Sequence, residues 1–220
     1  VLKLNPPLIE NEEQILKESE PLKLKHYVND VSLRYTTDGS EPDSLSSPAF
    51  SGEVILDKNV VIKAKAFKKG WLSSDVVERR FYQAGFRPDT IILAKAPDPL
   101  YRGDGDKTLV DAQKGDQNFR SGKWLGYKDH PLTALLQYKK PVLLSSVSVS
   151  SLVDIGSFIL PPERVEVWGG STPSDMRLLK HIKPEQPKAQ MAPTIKDYQL
   201  TFAPTAVQAV KIVVLPVAKL

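Results

Sequence analysis

Eighteen prolines and twelve glycines interrupt this chain of 220 residues, and few windows between them are long enough to hold an extended helix. Proline removes a backbone donor and clashes with the preceding turn, while glycine loses more chain entropy than any other residue on entering a helix. The segments left between the breaks are short and rich in Val, Ile, Thr and Tyr, which is the composition of strands. The pattern predicts an all-β protein. The length suits one large domain or two small ones, each with its own core.

The clearest strand signal lies at residues 31–37. Val31, Leu33 and Tyr35 alternate with Ser32, Arg34 and Thr36, the period-2 signature of a half-buried strand. Asp38-Gly39 then supplies a tight turn, and Glu41-Pro42 closes it by holding the residue before proline out of the helical region. Residues 12–20 pull the other way, since Glu12, Glu13, Gln14, Leu16 and Lys17 are good helix formers. Pro21 bounds that window, so an extended segment with at most one short helical turn is expected, with Leu22 and Leu24 alternating into a core.

The string Leu33-Arg34-Tyr35-Thr36-Thr37-Asp38-Gly39-Ser40-Glu41-Pro42, followed by Val60-Val61-Ile62-Lys63-Ala64-Lys65-Ala66-Phe67 and Gly70-Trp71-Leu72-Ser73-Ser74, resembles the chitobiase/β-hexosaminidase C-terminal domain. That resemblance implies a small Ig- or fibronectin-like β-sandwich over residues 1–84, appended to a glycan-processing or surface protein. The expected boundary lies near Gly85, where a strand at 75–82 gives way to Ala84-Gly85-Phe86-Arg87-Pro88.

Beyond it the punctuation changes. Residues 99–127 form a long turn-rich loop, and strands are expected at about 132–138, 143–152, 164–168, 197–202 and 206–215. Val147, Val149, Val165 and Val167 alternate with polar residues, so each strand should bury one face. Tyr101–Gly105, Leu109–Asp111, Gly115, Gly122–Gly126 and the run Leu160-Pro161-Pro162-Glu163-Arg164-Val165-Glu166-Val167-Trp168-Gly169 resemble the discoidin, or coagulation factor 5/8 type C, family in its Bacteroidetes-type version. The resemblance implies a discoidin-like β jelly roll over residues 86–220. It departs from the family in having Asp111-Ala112 where Asp-Gly is usual, and a closing strand is expected to be missing after residue 220. Expected cores are Leu33, Tyr35, Ile62 and Ala64 in the first domain, and Val147, Val149, Val165, Val167 and Ile212 in the second.

Composition excludes several chemistries. The chain has no cysteine, so it holds no disulfide, thiolate metal site or cysteine nucleophile. No apolar run is long enough to cross a bilayer, and no signal peptide opens the chain, though a chain opening on Val1 is expected to be a processed piece. Residues 1–84 carry 12 Lys/Arg against 13 Asp/Glu, and residues 85–220 carry 18 against 13. This mild basic bias suits an acidic glycan, but no dense basic run with interleaved aromatics marks a nucleic-acid surface.

Glycoside cleavage needs two carboxylates flanking the bond, with environments that push their pKa values apart. Asp104, Asp106, Asp111 and Asp116 share one region but lie among Gly103, Gly105 and Gly115, where aspartate builds turns. No catalytic residue is expected, and His26, His130 and His181 stand outside any zinc or nucleophile-elbow spacing. Two readings stay open for Asp111 and Asp116. One is a plain turn loop; the other, implied by the discoidin resemblance, is a structural Ca²⁺ held with backbone carbonyls.

Sugar recognition asks for an aromatic face beside hydrogen-bonding side chains. Asn118, Arg120, Trp124, Tyr127, Asp129 and His130 offer that mixture within a dozen residues. Trp124 has a second reading, as a ring packed beneath the loops, and Trp71 and Trp168, both beside glycines, are expected as plugs at sandwich edges. The resemblances together imply a non-catalytic carbohydrate-binding or targeting pair from a secreted, periplasmic or cell-surface protein, attached to a glycoside hydrolase such as a β-hexosaminidase. Its partners would be a glycan or polysaccharide and the neighbouring domains. The alternative is a structural spacer that orients neighbouring domains and has no ligand of its own.

Overall fold

In the computed structural model, which describes residues 1–217, every long element is a strand, and helical structure among the described residues is confined to 3-10 turns of three to five residues. The last three positions of the second expected domain, 218–220, lie outside the described residues. Two compact units are present, one ending at Gly85 and the other beginning at Phe86.

The first unit contains β1 (Leu8–Ile9), β2 (Ile15–Leu16), β3 (Glu20–Pro21), β4 (Leu24–Lys25), β5 (Ser32–Thr36), β6 (Ile55–Leu56), β7 (Val60–Phe67) and β8 (Val77–Gln83). A four-stranded sheet runs β2-β8-β7-β5, and β1-β4 and β3-β6 form two-stranded pairs. This is the Ig-like sandwich the motif string implied. β7 is its centre because its sequence alternates: Ile62, Ala64 and Ala66 are fully buried, and the residues between them are not. Leu16, Leu22, Leu56, Ile62 and Phe81 make the core. Residues 12–20 are extended, and β2 pairs parallel with β8 through Ile15↔Tyr82. Burying Leu16 and Leu22 outweighs the helix preference of a few exposed side chains, because propensity is a weak prior.

Two polar residues tie this unit together. Buried Asn11 donates from Nδ2 to Glu20 Oε1 (3.0 Å) and to the Pro21 carbonyl (2.9 Å), and accepts from the Lys23 amide (2.8 Å). Buried Ser74 accepts from the Ala66 amide at 2.9 Å and donates to the Asp75 carbonyl at 2.7 Å, which explains a serine at the end of the motif. The edge strand β5 differs from the expectation: Leu33 and Tyr35 are only partly buried, and Thr36 is the buried residue. The reason is a return segment lying along that edge. The Tyr35 amide bonds the Pro48 carbonyl, the Phe50 amide bonds the Leu33 carbonyl, and Tyr35 and Phe50 meet edge to face at 6.3 Å. Gly39 has the positive φ a tight turn requires, 85°, with Asp38 accepting from the Ser40 amide and hydroxyl. That turn opens a loop and not a hairpin, for β5 pairs with β7.

The second unit contains β9 (Thr90–Leu93), β10 (Leu132–Val153), β11 (Arg164–Gly170), β12 (Arg177–Ile182) and β13 (Thr194–Leu215). All five pair antiparallel in one sheet, ordered β12-β11-β13-β10-β9. The four strands expected at 132–138, 143–152, 197–202 and 206–215 are two continuous strands of 22 residues each. Proline bends this pair without ending it. The register skips between Gln137 and Val142, where Pro141 lies, and between Leu144 and Ser146, opposite the segment containing Pro204. Bulges absorb a residue that cannot donate to the ladder. The far halves thereby share one core with the near halves: Val147, Val149, Tyr198 and Phe202 pack against Ala134, Leu136, Val165 and Val167. Val165 and Val167 are fully buried, and Val147, Val149 and Ile212 are partly so. β9 and β12 were not expected from the sequence.

Candidate functional site

The long link between β9 and β10 is fixed at both ends. Pro99–Tyr101 forms a 3-10 turn capped by Asp98, whose carboxylate accepts from the Leu100 amide at 2.9 Å. The Asp98 amide bonds the Gly126 carbonyl (2.8 Å), and the Gly126 amide bonds the Tyr101 carbonyl (2.7 Å). Gly126 is required there, since a Cβ would sit 2.7 Å from Tyr101 Cβ. Lys128 closes the clamp with an ion pair to Asp98 at 2.7 Å. The Lys128 ammonium, followed by the Leu100 amide, holds the Asp98 carboxyl below its ordinary value, and the same contact raises Lys128.

A row of cations and rings lies across this clamp. Arg120 sits over Phe119 at 5.2 Å, Phe119 meets Tyr101 at 5.7 Å, and Lys128 lies 5.6 Å from the Tyr101 ring. Tyr101, Phe119 and Lys128 were missed by the sequence reading. Phe119 stands next to Arg120, its own cation, but Tyr101 and Lys128 meet across 27 residues and have no local signal. Tyr127 is half-buried, donates from its hydroxyl to the Lys95 carbonyl at 3.2 Å, and meets His130 edge to face at 5.4 Å. Burial raises its phenol above the ordinary value. Asn118, Arg120 and Asp129 are exposed, and the Asn118 carboxamide oxygen accepts from the Arg120 amide at 3.0 Å.

Trp124 belongs to a different part of the loop. Its indole N–H donates to the Asp116 carbonyl at 2.8 Å, and its ring lies against Gly115, where any Cβ would collide with it. A deeper tether holds the same segment. Lys114 contacts both Ser150 on β10 and Asp197 on β13, and Ser150 donates to Asp197 at 2.6 Å. The Lys114 and Asp197 side chains are only 11% and 15% exposed. Nothing in the local sequence marks this trio, whose members lie 36 and 83 residues from Lys114.

Asp111 and Asp116 build turns. Asp111 accepts from the Gln113 amide (2.8 Å) and Asp116 from the Asn118 amide (3.0 Å), with Lys123 3.4 Å from the other Asp116 oxygen. Burial opposes ionisation of Asp116, but hydrogen bonds from Ser121, the Asn118 amide and Lys123 prevail and lower its pKa. Ala112 takes φ +62°, the left-handed conformation a glycine would hold more easily. Among the described residues no three His, Asp or Glu side chains gather into a group that could hold a metal ion. A Ca²⁺ shell wants six to eight oxygens; the Asp111 and Asp116 carboxylates are engaged in their own turns, with the Lys123 ammonium 3.4 Å from one Asp116 oxygen.

Trp168 donates from its indole N–H to Glu166 at 2.8 Å and lies under Lys211 at 4.5 Å. Trp71 has Lys68 at 5.9 Å from its ring. Among the described residues no helix is long and apolar enough to cross a membrane.

No curated protein matches the chain. Two solved structures are similar over most of its length. A SusE-like protein aligns at 13% identity over 92% of this chain and 91% of its own, with a TM-score of 0.37. A structure of carbohydrate-binding modules from the β-sandwich superfamily aligns at 8% identity over 96% and 90%, with a TM-score of 0.24. The family match is local and agrees with the motif string: residues 14–78, inside the first unit, are similar to the chitobiase/β-hexosaminidase C-terminal domain.

Proposed function

We propose that this chain is a non-catalytic carbohydrate-binding accessory region whose glycan contacts lie on the loop at Asn118–His130 of the second unit. The observation that carries the reading is Tyr127. Its ring is fixed by its own hydroxyl and by His130, in a loop that exposes Asn118, Arg120 and Asp129. A pre-set ring beside hydrogen-bonding groups suits a pyranose, because stacking needs a fixed face and hydroxyls need directional partners. The local family match supports an accessory role. In this reading Trp124 shapes the loop from beneath and does not touch ligand.

The second unit is discoidin-like on this proposal, through its motifs at 101–126 and 160–169. The parent is a secreted, periplasmic or surface glycan-processing protein such as a β-hexosaminidase. Catalysis has no part in it: Asp111 and Asp116 serve their own turns, and Asp116 is held ionised where a general acid needs a raised pKa. A glycan array with and without EDTA, beside a chromogenic hexosaminide assay, tests this. The reading expects glycan binding that survives EDTA, and no turnover. Turnover abolished by changing one of Asp104, Asp106, Asp111 or Asp116 contradicts it, and absence of any glycan signal favours the spacer.

A further inference from the structure

Phe158 combines two unfavourable features in one residue. Its backbone is left-handed, φ 58° and ψ 28°, a region where a bulky side chain is an outlier. Its ring is 87% exposed, so no packing offsets the strain. The turn that imposes this is closed by two 2.9 Å bonds, Asp154 amide to Ile159 carbonyl and Ile159 amide to Asp154 carbonyl. Inside it the Ser157 amide bonds the Asp154 carbonyl and the Phe158 amide bonds the Ile155 carbonyl, both at 3.0 Å. Buried Val153 precedes the turn and buried Pro161 and Pro162 follow it. The ring is therefore presented on a short, fully bonded tip.

The neighbourhood limits what such a ring can meet. No Lys or Arg occurs between Lys140 and Arg164, and Asp154 is the one charged residue between Pro141 and Pro162. An anionic membrane surface attracts basic segments and is poorly matched by this tip. A neutral, hydroxyl-rich ligand suits it, with a ring for the apolar sugar face and Ser157 and Asp154 in the same turn to meet hydroxyls. We infer that Phe158 is a second carbohydrate contact, stacking on a neutral pyranose and kept at the expense of local stability. The inference rests on the carbohydrate-binding reading above and adds a separate site to it.

The test compares the chain with its Phe158→Gly, Phe158→Tyr and Tyr127→Ala variants on an array of neutral oligosaccharides that includes chitohexaose, with thermal unfolding in parallel. Glycine relieves the left-handed strain and removes the ring, so its Tm should hold or rise while binding weakens roughly fivefold to tenfold. Phe158→Tyr should bind as the parent does. If Tyr127→Ala weakens binding and Phe158→Gly leaves it unchanged, the carbohydrate reading stands and this inference falls. If the parent chain binds none of the glycans, both fall together.

Discussion

The indole of Trp124 lies directly on the backbone of Gly115, and its N–H donates to the carbonyl of the next residue, Asp116, at 2.8 Å. The contact leaves no room for a Cβ. Gly115→Ala should therefore displace the ring and cost about 1–3 kcal/mol, the usual range for overpacking. Urea unfolding followed by tryptophan fluorescence would read both effects, and an unchanged midpoint would contradict the packing.

Ala112 should respond in the opposite direction. Its φ of +62° places an alanine where glycine is at ease, so Ala112→Gly should stabilise the second unit by about 1 kcal/mol. Part of the gain is offset by the greater freedom of glycine in the unfolded chain. A lowered denaturation midpoint would show that the left-handed geometry is not held.

Lys114 and Asp197 form a largely buried ion pair. Removing one member takes the opposite charge away from a largely buried group, so Lys114→Met or Asp197→Leu alone should cost about 3 kcal/mol, and the double variant less than the sum. Additivity in that cycle would deny the pair its tethering role.

Asp43 gives a pH signature in the first unit. The Ser46 hydroxyl, then the Ser46 and Leu45 amides, hold its carboxyl far below the usual carboxylate range. A depressed folded-state pKa contributes stability above the unfolded value, near pH 4, and that contribution is lost as pH falls further. Asp43→Asn keeps an acceptor for the amides and should flatten this part of the acid dependence. An identical acid profile in parent and variant would remove Asp43 as its source.

The first unit was legible because its pattern is local. β7 alternates cleanly, and Asp38-Gly39 carries its turn chemistry in adjacent residues. The second unit was legible in class but not in its strand boundaries, since Pro141 and Pro204 read as strand ends when bulges in a long antiparallel pair accommodate them. Of the candidate site, Tyr127, His130 and Arg120 stood out by residue type. The clamp of Asp98 with Lys128, the Tyr101–Phe119 contact and the Lys114–Ser150–Asp197 trio depend on contacts between segments far apart in sequence. Periodicity carries no trace of those. Asp111 and Asp116 read as turn formers or as ligands from residue type alone, and their acceptor bonds to the Gln113 and Asn118 amides depend on local backbone geometry that composition does not carry.

The central claim is that the loop at Asn118–His130 holds a glycan against Tyr127. Isothermal titration with the highest-scoring array glycan, on the parent chain and on Tyr127→Ala, Tyr127→Phe, Arg120→Ala and His130→Ala, tests it most directly. The account predicts that Tyr127→Ala costs about 1 kcal/mol or more of binding, roughly fivefold in affinity, with the Tm retained. Tyr127→Phe keeps the ring but loses the hydroxyl bond to the Lys95 carbonyl that fixes it, so its binding should fall between that of the parent and that of Tyr127→Ala. Binding that survives Tyr127→Ala, Arg120→Ala and His130→Ala separately, with the fold intact in each, would contradict it.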